Sequence, residues 1–135
     1  MNHQNPIEIY QAQDGTTQVE VRFENDTVWL SQAQMANIFD TSSDNISLHL
    51  KNIFNEAELD ENLTAEDFSV VRQEGKRQVT RKVKHYNLDA IISVGYRVKS
   101  KSATNFRIWA TARLKEYLTQ GYTINQKRLQ QNAHE

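Results

Sequence analysis

The chain has 135 residues, of which 38% are hydrophobic and 24% charged, a balance typical of one globular domain rather than of a disordered chain. It has no cysteine, which excludes a disulfide framework and a thiolate zinc site. No apolar run is long enough for a membrane span, and the polar N-terminus lacks a signal-peptide core, so we expect a cytoplasmic protein without a membrane partner.

The net charge of −1 conceals a strong separation of charge along the chain. Segment 72–115 contains 12 basic and 2 acidic residues, whereas the remainder contains 4 basic and 15 acidic residues. A concentrated positive segment can bind an anion even when the whole chain is nearly neutral. The alternative is two solvent-exposed faces that differ in charge without binding anything.

The first thirty residues alternate apolar and polar positions, which is the pattern of strands. We predict a hairpin of Ile7–Tyr10 and Thr17–Phe23 around Asp14-Gly15. A turn at 24–26 and a third short strand at 27–30 complete the predicted β-meander.

Two short helices are predicted after the meander. Ser31, with Gln34 three positions later, has the sequence of a capping box and predicts a helix over residues 32–39. A polar break follows, after which Ser42 or Ser43 is expected to cap the second helix.

These two helices have the spacing of a helix-turn-helix. Ala36 is small enough for a close crossing, Asp40 supplies the turn, and Ile46 is the expected buried residue between the helices. Asp is one of the few non-glycine residues that tolerate the left-handed backbone that such a turn requires. The N-terminal polar residues of the second helix would face base edges in the major groove. The predicted base contacts are Ser42, Ser43, Asn45, Ser47 and His49.

An acidic loop over residues 56–67 and a basic hairpin are predicted next. Phe68–Val71 and Gln78–Tyr86 are β-prone segments around Glu74-Gly75, and a hairpin after a helix-turn-helix is the order of a winged helix. The basic side chains of a wing would contact phosphates, as would those at a helix N-terminus. The predicted phosphate contacts are Lys51, Arg72, Lys76, Arg77, Arg81, Lys82, Lys84, Lys99 and Lys101.

Two more helices are predicted after the hairpin. Asn87 is expected to cap a helix over residues 88–98, and Ser102 is expected to cap a last helix that ends at Gly121. The predicted fold is therefore α+β, a winged helix-turn-helix-like domain with an N-terminal β-meander and two C-terminal helices. The expected layout is one domain over residues 1–121 (meander 7–30, helix-turn-helix and basic hairpin 31–86, helical part 87–121), then a polar tail over 122–135 that begins a further segment.

Long blocks of this sequence resemble the RhuM family of virulence-island proteins. They are VEVRFENDTVWLSQAQMANIFDTSSDNISLHLKNIF, ELDEN, and KHYNLDAIISVGYRVKSKSATNFRIWATARLKEYLTQGY, within a resemblance that runs from about residue 7 to residue 129. The resemblance implies a bacterial protein of a mobile or pathogenicity island, of which this chain would be the N-terminal domain. The last helices also resemble, more weakly, the ends of phage antirepressor domains of the BRO and KilA-N type. The family supplies no activity that can be assigned residue by residue.

From the residues, we expect a transcriptional regulator that binds double-stranded DNA as a homodimer on two half-sites. The first alternative is a protein-interaction module that partners, or is fused to, a toxin-type domain. The second alternative is an enzyme such as a nuclease, but no carboxylate cluster lies near the basic segment and the four histidines lack metal-ligand spacing. We therefore expect no catalytic residues, no metal and no cofactor.

Overall fold

A computed structural model describes residues 6–12, 15 and 17–133, and the side chains as far as residue 120. Its strands are β1 (Ile7–Gln11), β2 (Gln18–Glu24), β3 (Thr27–Ser31), β4 (Ala65–Glu74) and β5 (Arg77–Asn87). Its helices are α1 (Gln32–Ile38), α2 (Ser43–Asn55), α3 (Glu61–Thr64), α4 (Leu88–Val98) and α5 (Lys101–Ala133). The strands form one antiparallel sheet in the order β1-β2-β3-β5-β4. The predicted α+β class, with N-terminal strands and C-terminal helices, is confirmed.

The meander forms as its alternating pattern predicts. The turn between β2 and β3 has Asn25 and Asp26 at φ values of 53° and 62°. Two consecutive positive φ values match the right-handed twist of the flanking strands, and Asn and Asp accept them at low cost. The alternate residues of β2 are buried from Val19 to Phe23 and face the helices.

The start of α1 is confirmed as a capping box. The Ser31 hydroxyl accepts a hydrogen bond from the backbone N–H of Gln34 at 3.3 Å, and the Gln34 side chain accepts one from the backbone N–H of Ser31 at 2.8 Å. Ser42, rather than Ser43, caps α2 by accepting from the backbone N–H of Asn45 at 3.0 Å.

One hydrophobic core lies between the helices and one face of the sheet. Sheet residues such as Phe23 and Leu30 contribute to the core, as do Ile46 of α2, Ile91 of α4 and Phe106 of α5. Aromatic rings join the outer strand to the last helix, since the Tyr10 ring centroid lies 5.1 Å from that of Phe106 and 5.0 Å from that of Trp109. The core therefore ties the meander to the C-terminal helix.

The prediction of a loop over residues 56–67 is wrong beyond residue 59. Asp60 accepts a hydrogen bond from the backbone N–H of Asn62 at 2.9 Å and caps the short helix α3. β4 then begins at Ala65 and pairs with the end of β5, so that Ala65 lies opposite Tyr86. The low strand propensity of the acidic residues is outweighed here by a long-range partner strand.

Helix α4 has the predicted bounds, and the Asn87 side chain accepts from the backbone N–H of Ala90 at 3.2 Å. The predictions for α5 are wrong at both ends. Ser100, not Ser102, is the capping residue, because its hydroxyl accepts from the backbone N–H of Ser102 at 3.0 Å. The helix also continues through Gly121 to Ala133. A glycine costs a helix interior only about 1 kcal/mol, and no proline follows to end it.

Candidate nucleic-acid interface

Helices α1 and α2 pack against each other across the turn at Asp40. Asp40 has a φ of 54°, the left-handed conformation expected at this turn, and the backbone N–H of Thr41 donates to the carbonyl of Ala36 at 3.0 Å. Met35 and Ile46 are fully buried on the facing sides of the two helices. These buried contacts fix the position of α2 against α1, and the opposite side of α2 is exposed to solvent.

The predicted base contacts at the start of α2 are largely engaged in local hydrogen bonds. Ser42 caps the helix, and the Asn45 amide donates to the Thr41 hydroxyl at 2.9 Å. The Ser43 hydroxyl accepts from the Gln32 amide at 3.0 Å. These side chains therefore shape the N-terminus of α2 in addition to facing solvent.

The outward side of α2 carries the predicted phosphate contact Lys51 and two residues that the sequence interpretation did not select, Leu48 and Asn55. Asp44, Leu48, Lys51 and Asn55 are exposed at helical spacing, and we call them the α2 stripe. Leu48 is 54% exposed, although the buried residues Ile46 and Leu50 lie two positions before and after it. The signal that could have revealed the stripe is the helical period counted from the buried residues. The predicted contacts Ser47 and His49 are half-buried and lie beside the stripe.

Strands β4 and β5 continue beyond the rest of the sheet as a two-stranded arm. β3 pairs with β5 only through His85, Tyr86 and Asn87. From Asp67 opposite Lys84 to the turn at Gly75, the two strands pair only with each other among the described residues. We call residues 67–84 the arm. The predicted basic hairpin is confirmed as a hairpin, and it is longer than expected.

The arm has two faces that can be assigned from contacts at its base. The Tyr86 ring lies 6.2 Å from the Phe54 ring of α2, so alternate residues counted back from Tyr86 lie on the side of the sheet that carries α2. On this α2-side face of β5 lie Lys84, Lys82, Thr80 and Gln78. The other, outer face of β5 carries Val83, Arg81, Val79 and Arg77, following His85.

The outer face begins in an aromatic cluster. The Phe68 ring lies 5.3 Å from the rings of both Trp29 and His85, and the Arg22 guanidinium lies 4.6 Å above it. Burial is the main cause that lowers the pKa of His85, whose Nδ1 lies 2.8 Å from the Val83 carbonyl oxygen. A neutral imidazole therefore sits at the base of the arm, where it anchors the arm to β3.

Two of the predicted phosphate contacts already hold carboxylates. Arg81 donates to both oxygens of Glu74 at 2.9 and 3.1 Å, and this contact lowers the pKa of the Glu74 carboxyl. Lys84 donates to Glu61 at 3.3 Å, which raises the pKa of the Lys84 ammonium. Within the described part of the chain, no ion pair forms at the remaining predicted contacts, which are Lys51, Arg72, Lys76, Arg77, Lys82, Lys99 and Lys101.

A cleft of about 240 Å³ separates α2 from the base of the arm. Ser47, Lys51 and Asn55 line it on the α2 side, and Tyr86 and Glu61 line it on the other. Burial raises the pKa of the Tyr86 phenol, which stays protonated at neutral pH. The cleft places polar side chains between the α2 stripe and the α2-side face of the arm.

Lys99 and Lys101 lie away from the arm, at the junction of α4 and α5. Lys99 ends α4 with a φ of 58°, and Lys101 is the first residue of α5. The nearby Arg97 donates to Glu56 at 3.3 Å and to Glu58 at 3.0 Å, which joins α4 to the end of α2. The structure does not bring these lysines together with the basic residues of the arm.

Comparison with known proteins identifies a family for this chain. A family model described as the Virulence protein RhuM family matches residues 63–135, more than half of the chain. The chain belongs to the RhuM family. No curated protein and no solved structure matches it. The region of the RhuM match includes β4, β5, α4 and α5, and hence the arm, whereas α1 and α2 precede it.

The two helices inside the RhuM match cross at very short range. A Cβ atom at Gly95 of α4 would lie 3.0 Å from the Cβ of Ala103 in α5 and 3.8 Å from the Phe39 ring. Gly95 therefore permits the close approach of α5 to α4, at a point where α4 also contacts Phe39 at the end of α1. Grouped His, Asp and Glu side chains that could hold a metal ion do not occur among the described residues. In the same part of the chain, no helix combines the length and apolarity needed to cross a membrane.

Proposed function

We propose that this RhuM-family chain is a cytoplasmic, non-catalytic DNA-binding domain that regulates transcription on a mobile element. The observation that carries the proposal is the placement of cations relative to α2. Lys51 lies on the α2 stripe, and Lys82 and Lys84 lie on the face of the arm that points to the same side of the sheet. A helix and a basic strand face directed to one side can contact one duplex together.

In this proposal α1 and α2 act as a helix-turn-helix and α2 enters the major groove. The left-handed turn at Asp40 and the buried contact at Ile46 support this role. On the α2 stripe, Leu48 suits a thymine methyl group and Asn55 an adenine, whereas Lys51 is placed for a phosphate. The serines and asparagine at the start of the helix stay as candidate contacts to bases or to the nearest phosphates.

The arm acts as the wing that holds the DNA backbone. Lys82 and the turn residue Lys76 form no ion pair with the described residues, so their charge is available to phosphate. The pairs of Arg81 with Glu74 and of Lys84 with Glu61 are exposed to solvent, and such pairs contribute little, so a phosphate can replace the carboxylate. We further propose a homodimer on two half-sites, as is usual for such motifs.

The test is a salt titration of binding to a pool of random-sequence duplexes. Each phosphate contact contributes about 0.9 to the slope of log affinity against log salt. The double variant Lys51→Ala/Lys82→Ala is expected to weaken binding and to reduce the slope by about 2. The matched control is Arg107→Ala/Lys115→Ala, which removes the same charge from exposed positions of α5 and should retain the slope. Equal losses in both variants, or no binding at low salt, would contradict the proposal.

A protein-interaction module is the second candidate, and an apolar surface favours it. Tyr96 is 74% exposed and lines a shallow groove between α4 and α5, and Ile108 of α5 is 57% exposed. A partner held there would bind with little salt dependence, and Tyr96→Ser would weaken it while Lys51→Ala/Lys82→Ala would not. The same pair of variants therefore separates the two functions.

A further inference from the structure

Strand β4 forms the edge of the sheet over ten residues. β5 covers one side of it, and among the described residues no strand covers the other. A long open edge offers a row of N–H and C=O groups to a further strand, and proteins usually block it by charge, by bulges or by pairing. The side chains of β4 decide which of these applies here.

The outer face of β4 alternates charge and apolar surface. Glu66, Phe68, Val70 and Arg72 follow one another on this face, since Phe68 packs on Trp29 there and residues two apart share a face. Glu66 and Arg72 are thus separated by two apolar residues, and Glu74 follows Arg72 on the same face. A strand with this order is complementary to itself when it runs in the opposite direction.

We propose that two copies of the chain dimerise by antiparallel pairing of their β4 strands, centred on Ser69. A two-fold axis normal to the sheet leaves each residue on the same face in both copies. Because directly opposite residues share a face, two paired positions must both have even numbers or both have odd numbers. With Ser69 opposite Ser69 of the second copy, Glu66 lies opposite Arg72 of the second copy. Phe68 lies opposite Val70 of the second copy, and every pair occurs twice.

Other registers lose this match. Centring the pair on Val70 places Glu66 opposite Glu74 of the second copy, and like charges directly opposite each other destabilise a sheet. Centring it on Phe68 places Glu66 opposite Val70 and Arg72 opposite Thr64 of the second copy, so no opposite charges lie directly opposite each other. Of these three registers, the charges favour the one centred on Ser69 and act against slippage.

The second open edge of the arm cannot pair in the same way. Among the described residues, no strand pairs with residues 77–84 of β5 on the side away from β4. Its charged residues are all basic, namely Arg77, Arg81, Lys82 and Lys84. Self-pairing of this edge would bring like charges together, so the arm has one edge suited to a second copy and one protected by repulsion.

The proposed dimer also has a geometry suited to DNA, and this step alone rests on the proposed function. A two-fold axis normal to the sheet places both α2 helices on the same side. Tyr86, beneath α2, pairs with Ala65, four residues from Ser69. With about 3.3 Å per residue and about 4.8 Å between strands, the two Tyr86 residues lie about 30 Å apart. Half-sites one turn apart on DNA are separated by about 34–36 Å.

The test measures dimerisation of the whole chain without DNA, by sedimentation over a range of concentrations. The wild type is expected to dimerise, and Glu66→Arg and Arg72→Glu are each expected to weaken the dimer about tenfold or more, because each creates two like-charge pairs. Mixing the two variants should restore wild-type affinity, since a heterodimer regains both opposite-charge pairs. Circular dichroism of each variant confirms that it is folded.

Lys115→Glu is the matched control, because it makes the same change of charge as Arg72→Glu at an exposed position of α5 and should leave dimerisation unchanged. A monomer up to millimolar concentration would overturn the proposal, as would a dimer insensitive to both variants or a mixture no tighter than its components. Open-ended oligomers would overturn it too, because they indicate head-to-tail pairing. DNA binding by a strict monomer would contradict the dimer and leave the proposed function standing.

Discussion

Substitution of Gly95 by alanine tests the close crossing of α4 and α5. The new Cβ would lie 3.0 Å from the Cβ of Ala103, well inside ordinary contact distance. Alanine favours a helix interior by about 0.8–1.0 kcal/mol over glycine, whereas overpacking a core costs about 1–3 kcal/mol. The neighbouring atom is a Cβ fixed to the backbone of α5 and cannot rotate away, so the cost lies in the upper part of that range. We expect Gly95→Ala to lower the free energy of unfolding by about 1–2 kcal/mol.

Urea denaturation followed by tryptophan fluorescence measures this change. Ala103→Gly alone should destabilise the protein, but combined with Gly95→Ala it removes the short contact. The double variant should therefore be more stable than the sum of the single changes predicts, by about 1 kcal/mol. A Gly95→Ala protein more stable than the wild type would refute the reasoning, because the higher helix propensity of alanine would then act without a steric cost at the crossing of α4 and α5.

Three further predictions concern stability. Ile46→Ala removes the fully buried contact between α1 and α2 and should cost about 2–5 kcal/mol by urea denaturation; a cost below 1 kcal/mol would mean that the helices do not pack as described. Asn87→Ala removes the cap of α4 and should cost about 1 kcal/mol, whereas Asn87→Ser should recover most of it. Because burial lowers the pKa of His85 in the folded state, its contribution to stability is present above about pH 6.5 and is lost as the pH falls below that value. Melting temperatures between pH 7.5 and pH 5 should therefore fall more steeply for the wild type than for His85→Gln, and parallel curves would contradict this role.

Local signals predicted the parts of the fold that depend on neighbouring residues. The capping box at Ser31, the cap at Asn87 and the left-handed turn at Asp40 each require only a few adjacent side chains, and all three are confirmed. The predicted end of α5 is wrong because Gly121 is a weak stop signal when no proline follows it. The predicted start of β4 is wrong because the added residues are held by pairing with the end of β5: Ala65 lies opposite Tyr86, 21 residues further along the chain.

At the candidate interface, too, local patterns could be predicted from the sequence, whereas contacts between distant residues could not. Periodicity indicated which residues of the arm share a face, but it could not show that Glu61 reaches Lys84 or that Glu74 holds Arg81. The helical period could have identified Leu48 as exposed, because Leu48 lies outside the apolar face that Ile46, Leu50 and Ile53 define. Pairing between distant side chains depends on the packed structure and has no signature in the sequence.

Methylation interference tests the central claim that α2 lies in the major groove. A duplex selected by the protein is lightly methylated, which modifies N7 of guanine in the major groove and N3 of adenine in the minor groove. We predict that bound molecules exclude methylated N7 at two clusters of positions about one helical turn apart, and tolerate methylated N3 there. Interference confined to adenine N3, or absent from both grooves, would contradict the account.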